Sequence, residues 1–522
     1  MAHAMKRTAA IALAAGLAIP GTIGTAVVLN TAPAFAQSID TVNEATGSIT
    51  VHKRTNHSEL GSDHDGSDLG TGAPGEPLNG AQFSLQPLQL ITDDATFAAA
   101  AGLKVSGETV VDADGNTVTP GTAQTGTTEG EGTVTFGDLA AGAYLLTETA
   151  APASTDTVYI PAAPMIVYVP IANNDEWNRD VHVYPKNTEL KTTKKVVDKD
   201  RQPVAGDKID YTIDTNAPVM PQGRTLTEFS LNDYYNNKEL LNPEIGALTL
   251  NGTALAEGTD YTVSTDAYTA GDKGDANTKT SFVFTEAGLQ KLTDSKGGAI
   301  QVTIKAEVAK TVVKGGEGLD DGAVDNYADT TGATKRTDDS TTVDEPFKTP
   351  EEKVTSYFGA VRIVKKGEDG KVLQGAKFEL HKVSSDATCD GVKAGADTKI
   401  ETGDLVTDSN GKLFINNLHV TDVANSTETI DDTYCLVETE APSGYQKLTA
   451  AIPFTLTAGE VTAATADDQV TTEVYNISKD VENTKRPEFS LPQTGGMGVV
   501  ALVLAGLAIL GGGAFAARRQ NA

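Results

Sequence analysis

The chain has 522 residues, a formal charge of −30 and an isoelectric point near 4.5. That length exceeds what one hydrophobic core organises and predicts about three domains plus tails. The acidity excludes nucleic-acid binding, which requires a basic face, and by itself names no other partner.

Lys6 and Arg7 precede an apolar stretch that runs to about Val28, and Ala34-Phe35-Ala36 follows before Gln37. This three-part layout predicts a secretory signal peptide over residues 1–36, which leaves the mature chain outside the cell. Beyond it the sequence is rich in Thr, Val, Gly, Asp and Ala. Short alternating stretches recur at Ile49–Val51, Val181–Val183, Tyr211–Ile213 and Val361–Ile363. Period-two segments bounded by Gly, Asp and Asn predict many short strands, hence an all-β chain of tandem immunoglobulin-like sandwiches. Ala95–Ala101 is the one short helix expected.

Asp63, His64, Asp65 and Asp68 stand close together, but their spacing lacks the glycine and terminal glutamate of a calcium loop. They read as a surface loop, so no metal or cofactor is expected. With seven histidines and no Ser-His-Asp or zinc-ligand arrangement, no turnover enzyme is expected either.

An internal repeat suggests the boundaries. Gly47-Ser48-Ile49-Thr50-Val51-His52-Lys53, followed by Leu78-Asn79-Gly80-Ala81-Gln82-Phe83, returns as Gly359-Ala360-Val361-Arg362-Ile363-Val364-Lys365, followed by Leu373-Gln374-Gly375-Ala376-Lys377-Phe378. Tyr144 to Pro152, with Glu148, likewise matches Tyr434 to Pro442, with Glu438. The first of these boxes ends in Ala153-Ser154 where the second has Ser443-Gly444-Tyr445. The expected division is 37–187, 188–346 and 347–486, with the middle part lacking the box. Cys389 and Cys435 are the only cysteines, and in an exported chain they predict one disulfide. From Met497 to Ala517 the sequence is apolar and uncharged before Arg518-Arg519, which predicts a membrane helix within a 487–522 tail.

The two boxes resemble those of CnaB-type domains, and the chain as a whole resembles the SpaA and FimA class of Gram-positive major fimbrial subunits. The middle part resembles that family's CnaA-type sandwich. The resemblance also rests on Trp177 to Lys186, which is similar to a pilin motif, and on Leu491-Pro492-Gln493-Thr494-Gly495, which is similar to a sortase sorting signal. It implies a pilus shaft in which a pilus-specific sortase cleaves after Thr494 and joins that residue to Lys186 of the next identical subunit. A wall-anchoring sortase, peptidoglycan, minor pilins and host receptors are the other partners it implies.

The resemblance further implies Lys–Asn amide bonds inside the domains, each promoted by an acid. The matching sets are Lys365, Asn483 and Glu438; Lys194, Asn326 and Asp233; and Lys53, Asn187 and Glu148. Lys366 and Lys195 compete with Lys365 and Lys194, and strand alternation favours Lys365 over Lys366. An unreacted Glu148 that orders a loop by hydrogen bonds is the alternative for the first domain. A stand-alone wall-anchored adhesin, or a minor pilin at the tip or base, is the alternative for the whole chain.

Overall fold

The computed structural model describes residue 42 and residues 45–55, 65–106, 109–173, 176–220, 224–337, 344–384 and 388–487. The expected signal peptide, the Asp63-His64 pair, the sorting signal and the Met497–Ala517 segment lie outside them. Among the described residues, no helix is long and apolar enough to cross a membrane.

The chain forms two compact units. One holds the described residues through Ala360 together with Asn416–Asp432 and Thr455–Asn476. The other holds Val361–Ile415, Thr433–Phe454 and the described residues from Ile477 onward.

The first unit includes two strand-built cores, one near the N-terminus and one further along the chain. In the N-terminal one, Gly47–His52 lies between Asp180–Val183, which runs parallel to it, and Thr133–Leu139, which runs antiparallel. A second sheet takes the order Met165–Val169, Gly142–Ala150, Gln82–Leu90, Gln124–Thr127. Alternate residues of both sheets, including Ile49, Val51, Phe83, Leu85, Phe136, Val167 and Val181, meet in one apolar interior. That is how a period-two pattern buries one face of each sheet. The expected short helix runs Asp94–Ala101, and Asp93 and Thr96 close a reciprocal capping box at its start. Phe97 and Ala100 are its buried residues.

The second core begins at Leu190. Lys208–Asn216 buries Ile209, Tyr211, Ile213 and Thr215 in strict alternation, and Ala299–Val308 pairs beside it. Across the core, Arg224–Tyr235 lies between Thr278–Phe284 and Ala323–Arg336. Phe229, Leu231, Phe282 and Val324 from that sheet share one apolar cluster with Tyr211 and Ile304. A second helix, Glu286–Ser295, was not expected. Thr285 caps its start, and its end is marked by Lys296, whose φ is 49°.

In the second unit, Val361–Gly367 pairs in parallel with Ile477–Asn483. Lys377–Val383 pairs with Thr433–Glu440, which in turn pairs with Ile452–Phe454. Cys389 and Cys435 form a disulfide with their Cα atoms 5.5 Å apart.

Candidate functional site

Each expected lysine–acid–asparagine set occupies buried ground, and the clearest is the N-terminal one. Lys53 directly follows the opening strand Gly47–His52, and Lys186–Leu190 runs parallel to Arg54–Thr55, with Lys186 opposite Arg54 and Asn187 opposite Thr55. Extending that register by one residue sets Lys53 against Pro185, so Asn187 stands two positions further on and on the same face. Lys53 Nζ donates to Asn187 Oδ1 at 2.5 Å and lies 2.8 Å from Glu148 Oε2. Asn187 Nδ2 donates to Glu148 Oε1 at 2.6 Å, which closes a three-membered ring of contacts. The Lys53 and Asn187 side chains are inaccessible to solvent, and the Phe83 ring lies 5.8 Å from the amine. Burial pushes the Lys53 amine below the ordinary lysine range, against the opposing pull of Glu148.

The second unit repeats this geometry. Lys365 stands opposite Val481, so Asn483 again lies two positions beyond the lysine's partner in a parallel pair. Lys365 Nζ is 3.4 Å from Glu438 Oε1. Asn483 Nδ2 donates to both Glu438 oxygens, at 3.1 and 2.9 Å, and to the Gln446 carbonyl at 2.7 Å. Its Oδ1 is buried with no hydrogen-bond partner among the described residues. Leu448 N–H donates to Glu438 Oε2 at 2.8 Å, which fixes the carboxylate. Burial lowers the Lys365 amine as well, opposed by Glu438. Lys366 points away and pairs with Asp480 at 2.9 Å on the surface, as strand alternation requires.

A third grouping lies in the core that begins at Leu190. The Lys194 amine contacts Asp233 Oδ1 with both side chains buried, and the Tyr211 ring lies 5.3 Å from the amine. Burial again lowers this lysine. Asn326 sits on the neighbouring strand opposite Tyr235, and Asp233 stands opposite Ala328 two register positions away, so the two side chains share a face. Asn326 Oδ1 is buried without a hydrogen-bond partner among the described residues. Lys195 is the exposed neighbour, with 72% of its side chain in solvent.

One element of these sites escapes the sequence pattern. Thr128 Oγ1 donates to the Leu78 carbonyl at 2.8 Å and accepts from Ala81 N–H at 3.1 Å. Thr407 does the same for Leu373 and Ala376, at 2.8 and 3.0 Å. Leu78 N–H and Leu373 N–H in turn donate to the carbonyls of Lys53 and Lys365, each at 2.9 Å. Four residues after each threonine, Gly132 and Gly411 accept from the N–H of those lysines at 2.7 Å. Both glycines have φ near +70°, and a Cβ on either would fall 2.5–2.7 Å from the lysine carbonyl oxygen. A buried hydroxyl and a tight glycine approach therefore hold the backbone of Lys53 and of Lys365. The Thr-x-x-x-Gly spacing, present in both places, is the signal that would have found them.

Lys186, the residue before Asn187, is half-buried at the start of its strand, and burial lowers its amine. Thr494 and the rest of Leu491–Gly495 lie outside the described residues.

What this set of groups can do chemically is limited and specific. A lysine whose charge is disfavoured, a carboxyl within reach of both partners and an asparagine side chain together supply a nucleophile, a proton carrier and an electrophile.

Residues 44–188 match the family model described as Gram-positive pilin subunit D1, N-terminal domain, and residues 359–470 match that of the SpaA prealbumin-like fold domain. Over 559 aligned residues the chain is 30% identical to Fimbrial subunit type 1 of Actinomyces viscosus, covering 99% of this chain and 98% of that one. It is 28% identical over 541 residues to Fimbrial subunit type 2 of Actinomyces naeslundii, covering 96% and 93%. Among solved structures, the full-length major pilin SpaD from Corynebacterium diphtheriae superposes with a TM-score of 0.61 at 27% identity, covering 86% of this chain and 100% of that one. With two pilin domain models matched and a fimbrial relative aligned along nearly its whole length, this chain belongs to the family of Gram-positive fimbrial subunits.

Proposed function

We propose that this chain is the shaft subunit of a covalent surface pilus, joined by sortase through an amide between Lys186 of one copy and Thr494 of the next. The sortase cysteine attacks the Thr494 carbonyl and releases the segment from Gly495 onward. The Lys186 amine, with a proton removed, then displaces the cysteine and leaves a new amide. Half-burial favours the neutral amine that this attack needs. The chain is a substrate in this chemistry and turns nothing over.

The mature subunit is read as three sandwich domains, 37–187, 188–346 and 347–486, followed by the sorting signal and a transient membrane anchor. Inside them Lys53–Asn187, Lys194–Asn326 and Lys365–Asn483 become amide bonds. In each, the neutral amine attacks the asparagine side-chain carbonyl carbon. The acid (Glu148, Asp233 or Glu438) carries the amine proton to the leaving nitrogen, and one ammonia departs. The observation that carries this reading is the buried Lys53–Glu148–Asn187 ring, in which every pair of partners is in contact.

These bonds have a mechanical consequence. Tension that enters at Lys186 and leaves at Thr494 crosses only residues 187–494. The Lys194–Asn326 bond carries it past residues 195–325, and the Lys365–Asn483 bond past 366–482. The Lys53–Asn187 bond reaches back to a domain outside the load line, where it serves stability and protease resistance.

Intact mass of the folded protein counts the bonds directly, because each removes one ammonia. A deficit of three is expected, and an unmodified mass would end this part of the proposal. Replacing Lys186 with alanine should abolish the detergent-resistant ladder of polymers. A stand-alone adhesin would keep its pattern unchanged.

A further inference from the structure

We propose that His52, His182 and Asp68 form a site for a first-row divalent cation, with zinc the best match. This departs from the expectation that the chain holds no metal, and it depends on geometry alone, independently of the polymer reading.

Three chain segments meet there. His52 ends the opening strand, and His182 lies in the parallel strand beside it. Asp68 comes from the segment between the two halves of the repeat box. The register that pairs Thr50 with His182 and Val51 with Val183 sets His52 opposite Tyr184 when extended by one residue. The His52 and Tyr184 rings stack with centroids 4.5 Å apart. His52 Nε2 and His182 Nδ1 face each other at 2.8 Å, and Asp68 Oδ1 lies 3.9 Å from the same His182 nitrogen. The three ligand atoms fall within 4.8 Å of one another.

The donor set and its surroundings both fit a metal. Two imidazole nitrogens and one carboxylate oxygen suit zinc and leave a fourth position for water. Two nitrogens on a tetrahedral zinc stand about 3.3 Å apart, so the rings need to part by only about 0.5 Å. His182 Nε2, on the far side of its ring, lies 3.5 Å from Asp180 Oδ2. Such a carboxylate holds a ligating imidazole with its other nitrogen turned to the metal. Asp180 is itself fixed by Ser48 Oγ, which donates to its Oδ1 at 2.6 Å. Asp68 Oδ1 accepts from Tyr184 Oη at 2.9 Å and from Gly70 N–H at 2.8 Å, so its carboxylate is oriented before any ion arrives. Asp68 has 54% of its side chain in solvent, which provides the route of entry, whereas His182 has only 13%. A bound ion would pin the Asp68 segment to the strand that leads through Tyr184 and Pro185 to Lys186.

The test is zinc titration of the purified, chelator-treated protein, with bound metal read by mass spectrometry and calorimetry. One zinc per chain is expected at micromolar concentration. His52→Gln, His182→Gln and Asp68→Asn should each weaken binding about tenfold or more. His381→Gln, in the other unit, should leave it unchanged. Hydrogen exchange of the unaltered protein supplies an arm that needs no variant: zinc should slow exchange at residues 65–70 and 180–184. Absence of binding, binding unchanged in His182→Gln, or exchange in those segments indifferent to zinc would overturn the proposal.

Discussion

Replacing Asn483 with alanine removes the electrophile of the proposed Lys365–Asn483 bond while leaving Lys365 and Glu438 in place. The loop that this bond closes runs to roughly 120 residues, for which chain entropy gives about 5 kcal/mol. In a domain of this size, that is a loss of about 15–25 °C in melting temperature.

The mechanical effect is larger and more specific. Without the bond, residues 366–482 can be drawn out, at most about 400 Å if fully extended. The Cys389–Cys435 disulfide, with a sequence separation of 46, withholds part of that length. About 250 Å therefore remains until a reductant is added, when the rest is released. Pulling single filaments by atomic-force spectroscopy should give no such step in the native pilus. The Asn483→Ala filament should give a step of at most 250 Å per subunit, lengthening with reductant. Asn187→Ala should leave the stretch unchanged, because that bond lies off the load line. Native filaments that lengthen by the same step, or equal lengthening in both variants, would refute the reasoning.

Two further outcomes follow from buried groups. Thr407→Val keeps the shape but strips the Leu373 carbonyl and Ala376 N–H of their partner, at a cost of about 2–3 kcal/mol. Calorimetry should show a lower transition for the domain that holds Lys365, and an unchanged one would deny the hydroxyl its role. The Glu239 carboxyl is pushed up to about 9, first by burial and then by a hydrogen bond to Asp275 and the nearby charges of Asp275, Asp321 and Asp320. A raised acid favours the protonated native state. Its contribution is therefore complete below the unfolded value of 4.5 and is lost as pH rises through about 9. The middle domain should melt lower at pH 9 than at pH 5, and Glu239→Gln should flatten that slope. A slope of opposite sign, or one that the substitution does not change, would count against this reading.

The strand pattern was legible because alternation is local: Ile209, Tyr211 and Ile213 declare a buried face within five residues. Lys53 and Lys365 stand at matching places of the repeated box, and alternation separated Lys365 from Lys366. The shared Thr-x-x-x-Gly spacing marks Thr128 and Thr407, but not what they bind, because the groups they satisfy lie 47–50 and 31–34 residues away. The His52–His182 pair was missed for the same reason, since its members stand 130 residues apart and meet only through a parallel pairing. Asp68 was grouped with its acidic sequence neighbours, whereas its partners come from two distant strands. The helix Glu286–Ser295 went unseen because a charged amphipathic stretch of three turns gives little contrast against strands of similar length.

The central claim is that one lysine side chain receives a threonyl group from a neighbouring copy. Peptide mapping of native filaments by mass spectrometry reads it directly. A branched peptide that joins Lys186 to Thr494 is the expected product. Filaments in which Lys186 is unmodified, with Thr494 on a different residue, would contradict it.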